Sequence, residues 1–518
     1  MQLDYDYIII GSGFGGSVSA LRLSEKGYRV LVLEKGKWWN ENDFAKTNWQ
    51  LRKWMWAPRL GFRGIFKMTF LNHITVLSGV GVGGGSLTYA NTLPVPDEAF
   101  YHSGSWQYLA DWKTELAPFY ELAYRMLGAT THPYQGTADH KLQHVANDLG
   151  IGDQYHPTKV AVYFGDPGHQ VPDPYFGGQG PHRTGCIHCG ACMTGCRHGA
   201  KNTLDKNYLH LARQLGAEIR AESKVEDVVP LDGKHGSTGY RISYQPKKGK
   251  LQFATSRGVV FAGGVLGTIP LLLKLRQSTL PLLSDQVGCQ VRTNNEALVN
   301  VVSTHPEQGD FSKGIAIGSI VRTDNNSHLE PTIYGRGSGF FKLLMVPWIP
   351  EENGWKRWGL LFVQIFIRPW QWFQALFRGD YASRSTYLLF MQTLDSTLRL
   401  RRGRLTPLKT QREKGPAPTA FLPAVRPLIR SYEKQVKGMA FVGFTETLLG
   451  IPTTAHILGG AVMGTSAADG VIDKSNHVFG YQNMLVCDGS MISANPGVNP
   501  SLTITAISEH AMAQIPVK

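Results

Sequence analysis

Four apolar residues, Tyr7 to Ile10, open the chain's pattern, a run too short for a helix and suited to a strand buried on both faces. Gly11-Ser12-Gly13-Phe14-Gly15-Gly16 follows, then a helical stretch to about Lys26 and a second apolar strand, Val30–Leu33, ending at Glu34. This order of strand, glycine turn, helix and strand predicts an α/β domain of the doubly wound kind. Lys224–Val229 and Gly258–Gly264 read as further strands, so that domain is expected to be discontinuous. Between roughly 300 and 450 glycines thin out and the chain turns aromatic, proline-broken and basic, as a separate lobe does. The last seventy or so residues return to strand, glycine and helix patterns, predicting a return to the first lobe.

Two aromatic stretches stand apart. Trp358 to Phe377 reads WGLLFVQIFIRPWQWFQALF, nearly long enough to span a bilayer, but Arg368 and Pro369 interrupt its middle, so a lid or interfacial segment is expected. Trp49 to Phe70 mixes Trp54, Trp56, Phe62 and Phe66 with Arg52, Lys53, Arg59, Arg63 and Lys67. It reads either as a core helix with a basic face or as a lipid-docking surface.

Composition narrows the class. With 518 residues, 42% hydrophobic and 18% charged, the chain is expected to fold as a globular enzyme of two lobes. A net charge of +14 favours anionic surfaces; no nucleic-acid module spacing accompanies it, so a solvated basic face or a membrane surface is expected and nucleic acid is not. Met1-Gln2-Leu3-Asp4-Tyr5-Asp6 lacks a secretory pattern, which predicts a cytoplasmic protein, placed by its basic aromatic stretches at the inner face of the membrane.

Gly11, Gly13 and Gly16 fit the three places where a dinucleotide fold needs glycine, and Glu34 ends the second strand where a carboxylate can accept from a ribose hydroxyl. A second cluster, Gly79-Val80-Gly81-Val82-Gly83-Gly84-Gly85-Ser86-Leu87, lets backbone amides close on another part of a large cofactor. With GSGFGG before it, and Thr454-Ala455-His456-Ile457-Leu458-Gly459-Gly460, Asp488-Gly489-Ser490 and Gly497-Val498-Asn499-Pro500-Ser501 after it, the chain resembles the glucose-methanol-choline (GMC) oxidoreductases, on their cholesterol oxidase-like branch.

The resemblance implies a Rossmann-type FAD-binding domain assembled from 1–100, 185–300 and 450–518. A substrate domain built on a β-sheet with helices is expected from 101–184 and 301–449. FAD contacts are expected from Gly11, Gly13, Phe14, Gly15, Gly16, Glu34, Gly83, Gly84, Gly85, Ser86, Val225, Asp488, Gly489, Asn499 and Pro500.

Taking hydride from an alcohol needs a base for the hydroxyl proton and a partner to hold the oxygen; neutral imidazole and a side-chain amide suit these jobs. The resemblance assigns them to His456 and Asn499. The branch's HPLGGC becomes His456-Ile457-Leu458-Gly459-Gly460-Ala461 here, and no counterpart of its additional acidic base is found, so a steroid substrate does not follow from the motifs. The expected activity is FAD-dependent oxidation of a lipophilic alcohol, sterol-like or long-chain, with oxygen, a quinone or a redox protein as acceptor. The alternatives are a flavin and iron–sulfur electron-transfer protein and a membrane-associated protein that keeps FAD structurally.

Cys186, Cys189, Cys192 and Cys196 have the spacing of a bacterial ferredoxin run, with Arg197 in place of the usual proline. An iron–sulfur cluster, a zinc site, disulfides and buried structural thiols are all open to them.

Overall fold

The computed structural model describes residues 2–403, 408–413 and 415–518. Its first sheet has seven strands. Tyr5–Ile10 lies parallel between Val30–Leu33 and the C-terminal half of Gln252–Phe261, and Glu218–Arg220 extends the parallel set at one edge. Gln252–Phe261 is long enough to serve two further neighbours: residues 259–261 pair in parallel with Met484–Val486, while its first half pairs antiparallel with Tyr240–Pro246, itself joined to Ser223–Pro230. Distant parts of the chain thus build one sheet.

Helix Phe14–Glu25 packs on this sheet and against helices Tyr208–Gln214 and Ser501–Ala513. Small and apolar side chains all around Ser501–Ala513 permit its nearly complete burial. Its one carboxylate, Glu509, is satisfied within the helix cluster by Arg22 Nε at 2.7 Å and the Tyr208 hydroxyl at 2.6 Å.

The second sheet also has seven strands, every neighbouring pair antiparallel, in the order Met345–Pro347, Gly438–Gly443, Ala297–Ser303, Ser385–Gln392, Ser327–Thr332, Ser319–Asp324 and Tyr155–Pro157. Strand alternation gives it two apolar faces. Val299, Val301, Leu388 and Phe390 share a core with residues of helices Thr137–Asp148 and Val425–Val436, while Leu298, Tyr387 and Leu389 line a large cavity. Within 101–184, helix Trp112–Met126 packs on Ser501–Ala513 and shares the first sheet's core, whereas Tyr155–Pro157 joins the second sheet.

The aromatic stretches take different forms. Trp358 to Phe377 falls in two helices, Gly354–Ile367 and Pro369–Phe377, parted at Arg368 because Pro369 lacks an amide donor and starts the second helix. Among the described residues no helix is long and apolar enough to cross a membrane. The expected core helix over Trp49 to Phe70 is corrected: only Leu51–Trp54 is α-helical, followed by short strands ending in Phe66–Phe70. Stacking explains the difference, since Trp54, fully buried, lies 4.5 Å from the Phe66 ring and also packs on Phe341.

Candidate active site

One cavity of about 360 Å3 is lined by residues of both sheets. Ser12, Gly13, Glu34, Gly84, Gly85 and Asp488 line it on the dinucleotide-fold side. Gly11 (φ +108°) turns the chain where a Cβ would sit 2.4 Å from the Ala262 carbonyl, and a Cβ on Gly84 (φ +53°) would sit 2.6 Å from the Gly13 Cα. The two glycine loops therefore meet backbone to backbone, which no larger residue permits. Glu34 is held at the end of its strand, accepting from the Ser12 hydroxyl at 2.8 Å and the Gly36 amide at 2.8 Å.

This end of the cavity fits an anionic dinucleotide. Helix Phe14–Glu25 starts at Gly13 with no side-chain cap and no acidic residue in its first turn, leaving its amides and positive dipole end for a pyrophosphate. Helix Ser501–Ala513 starts equally uncapped at the cavity wall. Lys35 and Lys67 line the cavity too, and burial together with repulsion by Lys35 pulls the Lys67 ammonium down to about 8, a strain that an anionic ligand relieves.

His456 and Asn499 come to the same cavity. The Asn499 Oδ1 is buried without a hydrogen-bond partner and so keeps accepting capacity unused by the protein, whereas the buried His456 Nδ1 makes no hydrogen bond but faces Glu296. Glu296 holds the histidine loop, its Oε1 accepting from the Thr454 hydroxyl and from the amides of Ala455 at 3.1 Å and His456 at 3.3 Å. Its Oε2 stands 3.2 Å from His456 Nδ1, close enough for charge pairing but off the line of a hydrogen bond. Asn294 Nδ2 donates to the Val498 carbonyl at 2.8 Å, and buried Arg292 donates to the Ile492 carbonyl at 3.0 Å. The run 292–296 thereby steadies the loops of both His456 and Asn499.

Glu296 and Glu446 are absent from the motif-based expectations. Glu296 announces itself only as the end of a buried polar run, Thr293-Asn294-Asn295-Glu296, ahead of an apolar strand. Glu446 lines the cavity from helix Phe444–Leu449, and burial pushes its carboxyl up to about 8, aided by the neighbouring charge of Glu296. It carries no sequence signal.

Of the expected cofactor contacts, Gly13, Phe14, Glu34, Gly84, Gly85, Asp488, Gly489, Asn499 and Pro500 line the cavity. Gly11, Gly15, Gly16, Gly83, Ser86 and Val225 do not line it. Ser86 donates to the Gly83 carbonyl at 2.6 Å, and Val225 is buried in the outer strand Ser223–Pro230. Asp488 ties the C-terminal segment to the start of helix Val265–Arg276, accepting from the Gly264 amide at 2.8 Å and the Thr268 hydroxyl at 2.6 Å.

Away from this cavity, the thiols of Cys186, Cys189, Cys192 and Cys196 are all free, which removes the disulfide reading, and they line one small apolar cavity together. Among the described residues no group of three or more His, Cys, Asp or Glu side chains is arranged to hold a metal ion. One zinc would need every thiolate about 2.3 Å from a single point.

Residues 6–317 match the FAD dependent oxidoreductase family and residues 432–508 the GMC oxidoreductase family. A cholesterol oxidase of Acinetobacter baumannii is 43% identical, the match covering 99% of this chain and 95% of that protein. A long-chain-alcohol oxidase of Arabidopsis thaliana is 22% identical over 96% of this chain and 65% of its own length. The crystal structure of pyridoxine 4-oxidase from Mesorbium loti shares the fold, with a TM-score of 0.62 at 14% identity and 98% of each chain covered.

Proposed function

The chain belongs to the GMC family of FAD-dependent oxidoreductases, and from that premise we propose that it oxidises the hydroxyl of a sterol-like or long-chain alcohol to a carbonyl, with His456 and Asn499 at the reacting oxygen. One observation carries the reading: these two side chains, Asn499 with a buried unpartnered Oδ1, face a cavity that is glycine-walled where a dinucleotide fits and apolar elsewhere. Met68, Leu77, Leu298, Ile317, Tyr387 and Leu389 line its apolar part. That lining favours a hydrocarbon body and leaves only the hydroxyl end to be recognised by polar groups.

Bound FAD supplies the hydride acceptor. The Asn499 amide orients the substrate oxygen, and the His456 imidazole takes the hydroxyl proton. Glu296 fixes the histidine loop and offsets the charge of the imidazolium that forms. Glu446, kept protonated until about pH 8, donates rather than accepts near neutrality, which leaves the base to His456.

Lipid docking is part of the same proposal. Trp355, Phe366, Ile367, Trp370, Phe373 and Phe377 project into solvent from the two helices 354–377. Arg357 ties these helices to the cavity-lining helix Phe444–Leu449 by donating to the Thr447 carbonyl at 2.6 Å. Aromatic side chains of this kind, on a chain of net charge +14, suit the headgroup region of an anionic bilayer from which a lipophilic alcohol is drawn.

The test is anaerobic mixing of the flavin-loaded protein with cholesterol or dodecanol in detergent micelles. Bleaching of the oxidised flavin absorbance is expected; a spectrum unmoved by sterols and long-chain alcohols alike overturns the proposal.

A further inference from the structure

We propose that Cys186, Cys189, Cys192 and Cys196 hold an iron–sulfur cluster of the four-iron class, in a site separate from the alcohol-oxidising cavity. In two-cluster ferredoxins the fourth cysteine of such a run serves the other cluster, which demands a second run elsewhere. Here Cys196 lines the same small cavity as the other three, so the run closes on itself. The remaining cysteines, Cys289 and Cys487, do not line it.

The loop between the cysteines is tightly constrained. His188 (φ +54°), Gly190 (φ +66°) and Gly195 (φ +100°) take left-handed conformations between the cysteines. A side chain at Gly190 would meet the Ser312 carbonyl at 2.5 Å, and one at Gly195 would meet the Phe44 ring at 2.0 Å, so the loop is pinned on both sides. The backbone N–H of His188 donates to Cys186 Sγ at 3.4 Å. Such N–H···S bonds stabilise ligating thiolates.

Lys201 supplies charge. It is 1% exposed, lines the cysteine cavity, and donates to the carbonyls of Leu87, Tyr89 and Cys192 at 3.1, 2.8 and 2.9 Å, with no carboxylate bonded to it. The Asp205 carboxylate acts on this buried ammonium only through space, and a cluster ligated by four thiolates would bring net negative charge to the same cavity. The thiolates of a cubane cluster bind different irons and ring a wider volume than thiolates sharing one ion, which suits four cysteines that line one cavity without forming a single-ion site. The run also partitions the two cavities: Met193, between Cys192 and Cys196, lines the larger one, as does Tyr89, whose ring lies 4.6 Å from the Lys201 ammonium.

The test uses the full flavin-loaded chain purified anaerobically, with iron, zinc and acid-labile sulfide analysis and electron paramagnetic resonance after dithionite reduction. About four iron and four sulfide per chain are expected, with a reduced-cluster signal. Cys189→Ser should lower iron at least tenfold, as a lost ligand does, whereas Cys289→Ser should not. Should Cys189→Ser fail to fold, iodoacetamide labelling of the wild type answers instead: these four thiols should be protected until a chelator strips the iron. Iron-free protein after reconstitution with ferrous iron and sulfide, stoichiometric zinc in place of iron, or equal iron loss in Cys289→Ser overturns the proposal. None of these outcomes depends on alcohol turnover, so this site and the proposed activity fail separately.

Discussion

Glu446→Gln probes the electrostatics of the cavity through stability. Burial raises the Glu446 carboxyl from an ordinary 4.5 to about 8, so between those pH values the folded protein holds a proton that the unfolded chain has released. Folding then takes up a proton, and stability contributed by this group is full below pH 4.5 and lost as pH climbs to 8, by about 1.4 kcal/mol per pH unit. From pH 5 to 7.5 the cumulative loss is about 3 kcal/mol. Glutamine has nearly the same shape and no proton to exchange. Its amide introduces a constant offset, from whatever partners it finds, but no slope. Urea unfolding of the flavin-loaded wild type and Glu446→Gln at both pH values should therefore show the variant gaining about 3 kcal/mol on the wild type across the interval. A difference that stays the same at pH 5 and 7.5 refutes the reasoning, because Glu446 would then titrate alike folded and unfolded.

Further outcomes follow from the same geometry. His456→Ala should keep its flavin and lose about two to four orders of magnitude in kcat, measured by stopped-flow flavin reduction, and unchanged turnover removes the imidazole from the reaction. Gly13→Val should fold but purify without flavin: a Cβ there has nothing nearer than the Ala262 carbonyl at 4.0 Å, so it obstructs the cofactor end rather than the protein, and full flavin absorbance would contradict that placement. Replacing Phe366, Trp370 and Phe373 together by Ser should weaken sedimentation with phosphatidylserine vesicles and slow turnover of vesicle-held cholesterol, while soluble short-chain alcohols are less affected. Wild-type binding should fall with salt without vanishing, since each basic residue near the leaflet adds about 1 kcal/mol and the aromatic contribution resists screening. Trp372 is left out of that variant because it packs on Phe441 at 5.7 Å.

Much of the site is local chemistry and so was legible along the chain. A glycine required for close backbone approach carries its reason within a few residues, so Gly11, Gly13, Gly84 and Gly85 could be singled out along the chain, as could Glu34 at its strand end; of these Gly13, Gly84, Gly85 and Glu34 line the cavity. His456 and Asn499 were recognisable because their surrounding motifs are long, and the break at Arg368-Pro369 because proline's missing donor acts wherever it stands. Other features exist only once distant segments meet. Glu296 lies 160 residues before His456, and nothing near it marks the amides it receives. Glu446 is an ordinary carboxylate until the fold takes it out of water, and Trp54 to Phe66 became a stacked hairpin rather than a helix because partners such as Phe341 lie elsewhere in the chain. Local conformation follows from covalent geometry and neighbouring side chains, whereas desolvation, charge pairing and ring stacking depend on which atoms share a volume.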